Sequence, residues 1–189
     1  METVEIELKF RSSDWGAVLG KLATFGAEAK PVREDVDHYF NAPDRDFGQT
    51  DEVVRLRIMG ERNCLTYKGP KAKAAVKTRR EIEIDLRDGQ LSATQAVCFL
   101  TALGYRPTAV VSKTRQVYTF DRDGFHIEIC FDDAGAIGKF VEVEIVATTD
   151  RADEARTKVA EIAAELGLTE IEHRSYLRML LEQHPKAEH

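Results

Sequence analysis

Cysteine is sparse in this chain: Cys64, Cys98 and Cys130 are the only three, and they lie far apart. That spacing fits neither a disulfide framework nor a zinc knuckle, and reads as free thiols in a reducing compartment. No apolar run is long enough to span a bilayer, and the start carries no signal-peptide pattern. The sequence therefore predicts a cytoplasmic protein with no membrane partner. Positive charge is not in excess either. Lys and Arg number 27 against 33 Asp and Glu, a formal net charge of −6. That balance argues against nucleic acid as a partner, while leaving room for a local basic cavity. No solenoid repeat is visible.

What the chain does have is strands with two unlike faces. With 189 residues, 43% hydrophobic and 32% charged, it is long enough to bury a real core. It reads as a single domain over residues 1–183, with 184–189 as a flexible tail. In Val4-Glu5-Ile6-Glu7-Leu8-Lys9-Phe10 the charged residues alternate with the apolar ones. Successive side chains of a strand point to opposite faces, so Glu5, Glu7 and Lys9 share one face and the other is apolar. Strands are expected at 2–11, 31–41, 52–60, 63–69, 77–87, 109–120, 124–132 and 139–148, with residues 42–51 as a loop. Helices are expected after Ser12 or Ser13, after Ser92 as a cap, and over about 151–166 and 173–183. In the second helix Ala96, Phe99, Leu100 and Leu103 are expected to face inward. Eight strands with helices inserted between groups predict an α+β fold built on an antiparallel barrel or a strongly curved sheet.

The charged faces continue along the chain. Arg55 and Arg57 lie opposite Val54, Leu56 and Ile58; Thr66 and Lys68 lie opposite Leu65 and Tyr67. Lys77, Arg79, Glu81, Glu83 and Asp85 keep one register, as do Lys113 and Arg115, then His126, Glu128, Cys130 and Asp132, and finally Glu142 and Glu144. For any single strand, a solvated face with cross-strand ion pairs is the ordinary explanation. For the set it is weakened, because Ser, Thr and Gln are scarce on these faces and the signs are sorted. Acids fill the first and last strands; bases dominate the middle. Clustered carboxylates call for a divalent cation, and clustered Arg and Lys call for phosphates. His38 is expected to be packed or hydrogen-bonded. His126 is a weak candidate for substrate contact.

Glu5-Ile6-Glu7-Leu8-Lys9 resembles the ExExK signature of the CYTH superfamily, the triphosphate tunnel metalloenzymes. In order along the chain, the resemblance extends through Asp37-His-Tyr-Phe, Arg55-Leu-Arg57, Leu65-Thr-Tyr-Lys68-Gly-Pro, Arg80-Glu-Ile-Glu83, Lys113-Thr-Arg115, Phe131-Asp132 and Glu142-Val-Glu144. It spans about residues 2–180 and is nearest to the class IV adenylyl cyclases. It implies an eight-stranded antiparallel tunnel with a charged lining and flanking helices. It implies Mg²⁺ or Mn²⁺ as cofactor, with Glu7, Glu142 and Glu144 as ligands and Glu5 beside them. Glu7, Asp132, Glu142 and Lys113 become the expected catalytic residues. Lys9, Arg55, Arg57, Lys68, Lys77 and Arg115, with Glu5, are the expected substrate-binding set.

The resemblance implies a nucleoside triphosphate or another triphosphate as substrate. The leading expectation is conversion of ATP to cyclic AMP and pyrophosphate. The alternatives are a thiamine triphosphatase or inorganic tripolyphosphatase releasing the terminal phosphate, and a module that binds nucleotide or polyphosphate without turnover. The cyclases of the family suggest a homodimer. Lys71 and Lys73 read either as a solvated loop or as a lid over the phosphates, and Tyr176 is expected near the tunnel mouth.

Overall fold

Period-two alternation dominates the chain, and it folds accordingly into antiparallel ladders. The computed structural model describes residues 3–70 and 80–183. The elements run β1 (Thr3–Arg11), α1 (Gly16–Thr24), β2 (Glu28–Ala29), β3 (Arg33–Asn41), α2 (Phe47–Thr50), β4 (Val53–Met59), β5 (Arg62–Lys68), β6 (Glu81–Asp85), α3 (Gln90–Ala102), β7 (Arg106–Arg122), β8 (Phe125–Asp133), β9 (Lys139–Thr148), α4 (Ala152–Leu166) and α5 (Tyr176–Gln183). Eight strands form one path in the order β1-β9-β8-β7-β3-β4-β5-β6, and the two-residue β2 adds to β7. This is the α+β antiparallel architecture that the sequence predicts. The first and last long strands are direct neighbours, because β1 pairs with β9. Among the described residues no helix is long and apolar enough to cross a membrane.

The chain forms two compact units. The first contains β1, α1, β2, residues 114–122 of β7, β8, β9 and α4. Its core is the apolar face of the ladder: Ile6 and Phe10 on β1, Ile127, Ile129 and Phe131 on β8, Val141, Val143 and Ile145 on β9. Val18 and Leu22 of α1 and Ala155, Val159, Ile162 and Leu166 of α4 close over it. Full burial of each large aliphatic side chain contributes about 1.5–3 kcal/mol. The spacing in α4 is that of a helix with one buried stripe, and Gly167 ends it in a left-handed conformation at φ 77°. With the apolar residues turned to the helices, alternation leaves the charged residues on the opposite face.

The second unit contains β3, α2, β4, β5, β6, α3, residues 106–113 of β7 and α5. Phe40, Val54 and Leu56 pack with Phe47, Ala93 and Leu100. Two local outcomes differ from the sequence reading. The expected loop at 42–51 contains the single turn α2, begun by Asp46, whose carboxylate accepts from the Gly48 N–H at 3.0 Å. In α3 the start is Gln90, and Ser92 makes no cap. The reason lies in the preceding turn: the Asn63 amide donates to the carbonyls of Arg87 and Gly89, and the Gly89 N–H donates to the Glu61 carbonyl. That anchor fixes the helix rotation. Ala93 and Leu100 point inward, while Phe99 and Leu103 are 63% and 55% exposed.

Candidate active site

The acidic face belongs to the first unit, and ladder register assembles it. Glu7 stands opposite Glu144, and Lys9 opposite Glu142, across β1 and β9. On β8, Glu128 faces Glu144 and Cys130 faces Glu142, while Asp132 stands opposite Arg115 of β7. Lys9, Arg115, Asp132 and Glu142 are buried. Such charges persist inside a protein only when paired or coordinated. Arg115 supplies much of the pairing. Its Nε and Nη2 donate to the two oxygens of Asp132, each at 2.6 Å. Nη2 also meets Glu142, and Nη1 lies 3.5 Å from Glu144. Lys9 Nζ is 3.8 Å from Glu142.

On one part of this face three carboxylates converge. Carboxylate oxygens of Glu5, Glu7 and Glu144 lie within 4.8 Å of one another. Burial pushes the Glu144 carboxyl well above its ordinary range; Arg115 opposes that, and Glu142, Glu5 and Glu7 add to it. Three hard oxygen donors this close together fit a divalent cation of the Mg²⁺ or Mn²⁺ kind. Of the ligand candidates in the sequence, Glu7 and Glu144 meet in this trio together with Glu5. Glu142 is directed instead to Lys9 and Arg115.

The basic face belongs to the second unit. Asp37 and Tyr39 on β3 stand opposite Arg57 and Arg55 on β4. Arg57 donates from Nε and Nη2 to both oxygens of Asp37, at 2.6 and 2.8 Å. Arg55 is held more loosely. Nη1 is 3.6 Å from Asp37, and Nη2 is 3.4 Å from Thr66 and 3.9 Å from Glu83. Its Nε is buried without a hydrogen-bond partner among the described residues. Lys68 pairs with Glu81 at 2.6 Å. Lys113 is buried and sits 4.8 Å from the ring centroid of Tyr176 on α5, so Tyr176 serves as a cation–π floor for that lysine. Burial tends to raise the Asp37 carboxyl, but Arg55, Arg57 and Lys113 overcome it and hold the group well below the usual carboxylate range. Burial and the Asp37 charge push the Tyr39 hydroxyl up to about 12, so it stays a neutral donor.

The first unit therefore brings together Glu5, Glu7, Lys9, Arg115, Asp132, Glu142 and Glu144; the second brings Arg55, Arg57 and Lys113 around Asp37, with Lys68 paired to Glu81. Lys77, with the lid candidates Lys71 and Lys73 and the tail at 184–189, lies outside the described residues. His126 is exposed, with Nδ1 2.8 Å from Asp121. Asp37 is the residue that the reading for site function missed. Its odd-number parity with Tyr39 was visible, but its place opposite Arg57 follows from the β3–β4 register.

Fold and faces together define an antiparallel α+β protein in which each unit buries paired charges, Lys9, Arg115, Asp132 and Glu142 in the first and Asp37, Arg55 and Lys113 in the second. The CYTH domain matches residues 3–176, and the chain belongs to that family. It is similar to Adenylate cyclase CyaB of Aeromonas hydrophila, with 31% identity over 186 residues, 95% of this chain and 89% of that one. It is also similar to a protein of Methanocaldococcus jannaschii named as a candidate adenylate cyclase, with 30% identity over 179 residues, 93% of this chain and 98% of that one. Among solved structures, a Pyrococcus horikoshii protein is 35% identical, with TM-score 0.81 over 95% of this chain and 99% of that chain. A Hippeastrum protein, described as a candidate adenylyl cyclase with a dominant triphosphatase activity, shares the fold at TM-score 0.69 and 14% identity, over 96% of each chain.

Proposed function

We propose that this chain is a metal-dependent adenylyl cyclase that converts ATP to cyclic AMP and pyrophosphate. The observation that carries the reading is the convergence of Glu5, Glu7 and Glu144 in a chain whose near-full-length relatives bear adenylate cyclase names. Those three carboxylates would hold Mg²⁺ or Mn²⁺. When bound, such an ion supplies charge neutralisation at phosphoryl oxygens and lowers the pKa of a nearby hydroxyl. Asp132 and Glu142 act through Arg115 and Lys9, keeping the acidic face aligned. Arg55, Arg57, Lys68 and Lys113 would bind the triphosphate, the arginines as bidentate donors and the lysines as point charges.

In the reaction the ribose 3′-oxygen attacks the α-phosphorus, and the bond from that phosphorus to the β-bridging oxygen breaks. Pyrophosphate leaves with its charge met by the basic set, and the hydroxyl proton passes to water. Catalysis here is positioning and electrostatics, with no covalent intermediate required. A second reading, hydrolysis of the terminal phosphate of a triphosphate, uses the same residues and is favoured by the activity described for the Hippeastrum protein.

The test is product separation with purified protein, Mg²⁺ or Mn²⁺, and ATP, thiamine triphosphate or tripolyphosphate. Cyclic AMP with equimolar pyrophosphate supports the cyclase. Orthophosphate without cyclic nucleotide makes the protein a triphosphatase. Tight binding without any product leaves a non-catalytic binder and overturns both enzymatic readings.

A further inference from the structure

We propose that Asp37 is the positioning residue of the basic face, locking Arg57 as a rigid fork and leaving Arg55 the looser donor that a phosphate would recruit. The inference rests on the triphosphate reading above.

Asp37 is 1% exposed and makes a direct cross-strand pair with Arg57. Nε and Nη2 of Arg57 both donate to it, at 2.6 and 2.8 Å, and the Tyr39 hydroxyl lies 3.4 Å from Oδ2. An arginine held at two nitrogens has little freedom left to lose when it meets an anion. Arg55 differs although it is only two residues away, and it is the more deeply buried of the two. Its contacts to Asp37, Thr66 and Glu83 are 3.4 Å or longer, and its Nε has no partner among the described residues. A buried, under-satisfied guanidinium beside a fixed one is an arrangement that a phosphate oxygen would complete.

Charge alone argues against Asp37 in such a place. A buried carboxylate near a bound anion repels it, more strongly than in water because the surroundings are less polarisable. What the carboxylate gives in return is geometry. The same fork recurs in the first unit between Asp132 and Arg115, across another pair of adjacent strands.

Charge and geometry predict opposite signs, which makes the role testable. Inorganic tripolyphosphate with Mg²⁺ is titrated calorimetrically into wild type, Asp37→Asn and Asp37→Glu, with melting curves alongside. A positioning role predicts that Asp37→Asn binds more weakly by about tenfold or more, the scale of one lost charge-assisted contact, although it removes a negative charge. Asp37→Glu keeps the charge and the buried pair but shifts the carboxylate by one methylene, and should also bind more weakly. Asp37→Glu decides the matter if Asp37→Asn does not fold. Equal or tighter binding by a folded variant overturns the positioning role and leaves the triphosphate reading intact. Failure of wild type to bind overturns that reading and this proposal together.

Discussion

Glu7 and Glu144 stand directly opposite one another in the β1–β9 ladder, two carboxylates on neighbouring strands. Like charges in that relationship destabilise a sheet. Burial raises the Glu144 carboxyl most; Arg115, 3.5 Å away, opposes this, and Glu142, Glu5 and Glu7 add to it. Without metal the ionised form of Glu144 is therefore disfavoured. Glu144→Gln should leave the melting temperature of the metal-free protein equal to wild type or higher. The same variant should lose at least about tenfold in metal-dependent turnover, the scale for a damaged metal site. A lower melting temperature in the metal-free variant would show that Glu144 is a net stabilising ion-pair partner.

Arg115 is the shared counter-charge of three carboxylates, Asp132, Glu142 and Glu144. Arg115→Met would leave those groups buried without it. Removing one member of a buried pair costs about 3–5 kcal/mol, which in a chain of this size lowers the melting temperature by at least about 6 °C. Circular dichroism melts check this. A change of only a degree or two would mean that water or other side chains already satisfy these carboxylates.

Glu52 predicts a pH dependence. Hydrogen bonds from Arg45, Thr50 and Tyr67, in that order of importance, hold its carboxyl far below the ordinary value of 4.5. The Tyr67 hydroxyl donates at 2.7 Å and the Arg45 fork at 2.8 and 2.9 Å. A carboxyl with a depressed folded-state pKa stabilises the fold fully above its unfolded pKa, and the contribution fades as pH falls towards the folded one. Glu52→Gln should therefore melt roughly 4–8 °C lower at neutral pH, and the gap to wild type should narrow as pH falls below 4.5. A gap that stays constant through acid would remove the ionic contribution.

Much of the fold was legible because alternation is a local property. Ile6 and Ile145 fall on the core face, and Glu5, Glu7 and Glu144 on the other, from parity alone. Which charges meet is not local. Parity puts Glu142 on the charged face with Glu5, and it is the β1–β9 register that sets it opposite Lys9. Asp37 was hidden for the same reason, since its role depends on pairing with a residue 20 positions away. In α3 Ala96 and Leu100 of the expected stripe face the core, while Phe99 and Leu103 turn outward. Asn63, from another part of the chain, ties down the turn before the helix, so the serine expected as a cap sits inside it. Ser92→Ala should accordingly change stability by less than about 0.5 kcal/mol, against about 1 kcal/mol for loss of a true cap. Denaturant midpoints distinguish the two.

The most direct test of the acidic face as a metal site is a calorimetric titration of wild type and Glu144→Gln with Mn²⁺. The account predicts saturable binding to wild type and affinity weaker by about 10–100-fold in the variant. Equal binding by both proteins, or no binding by wild type, would contradict it.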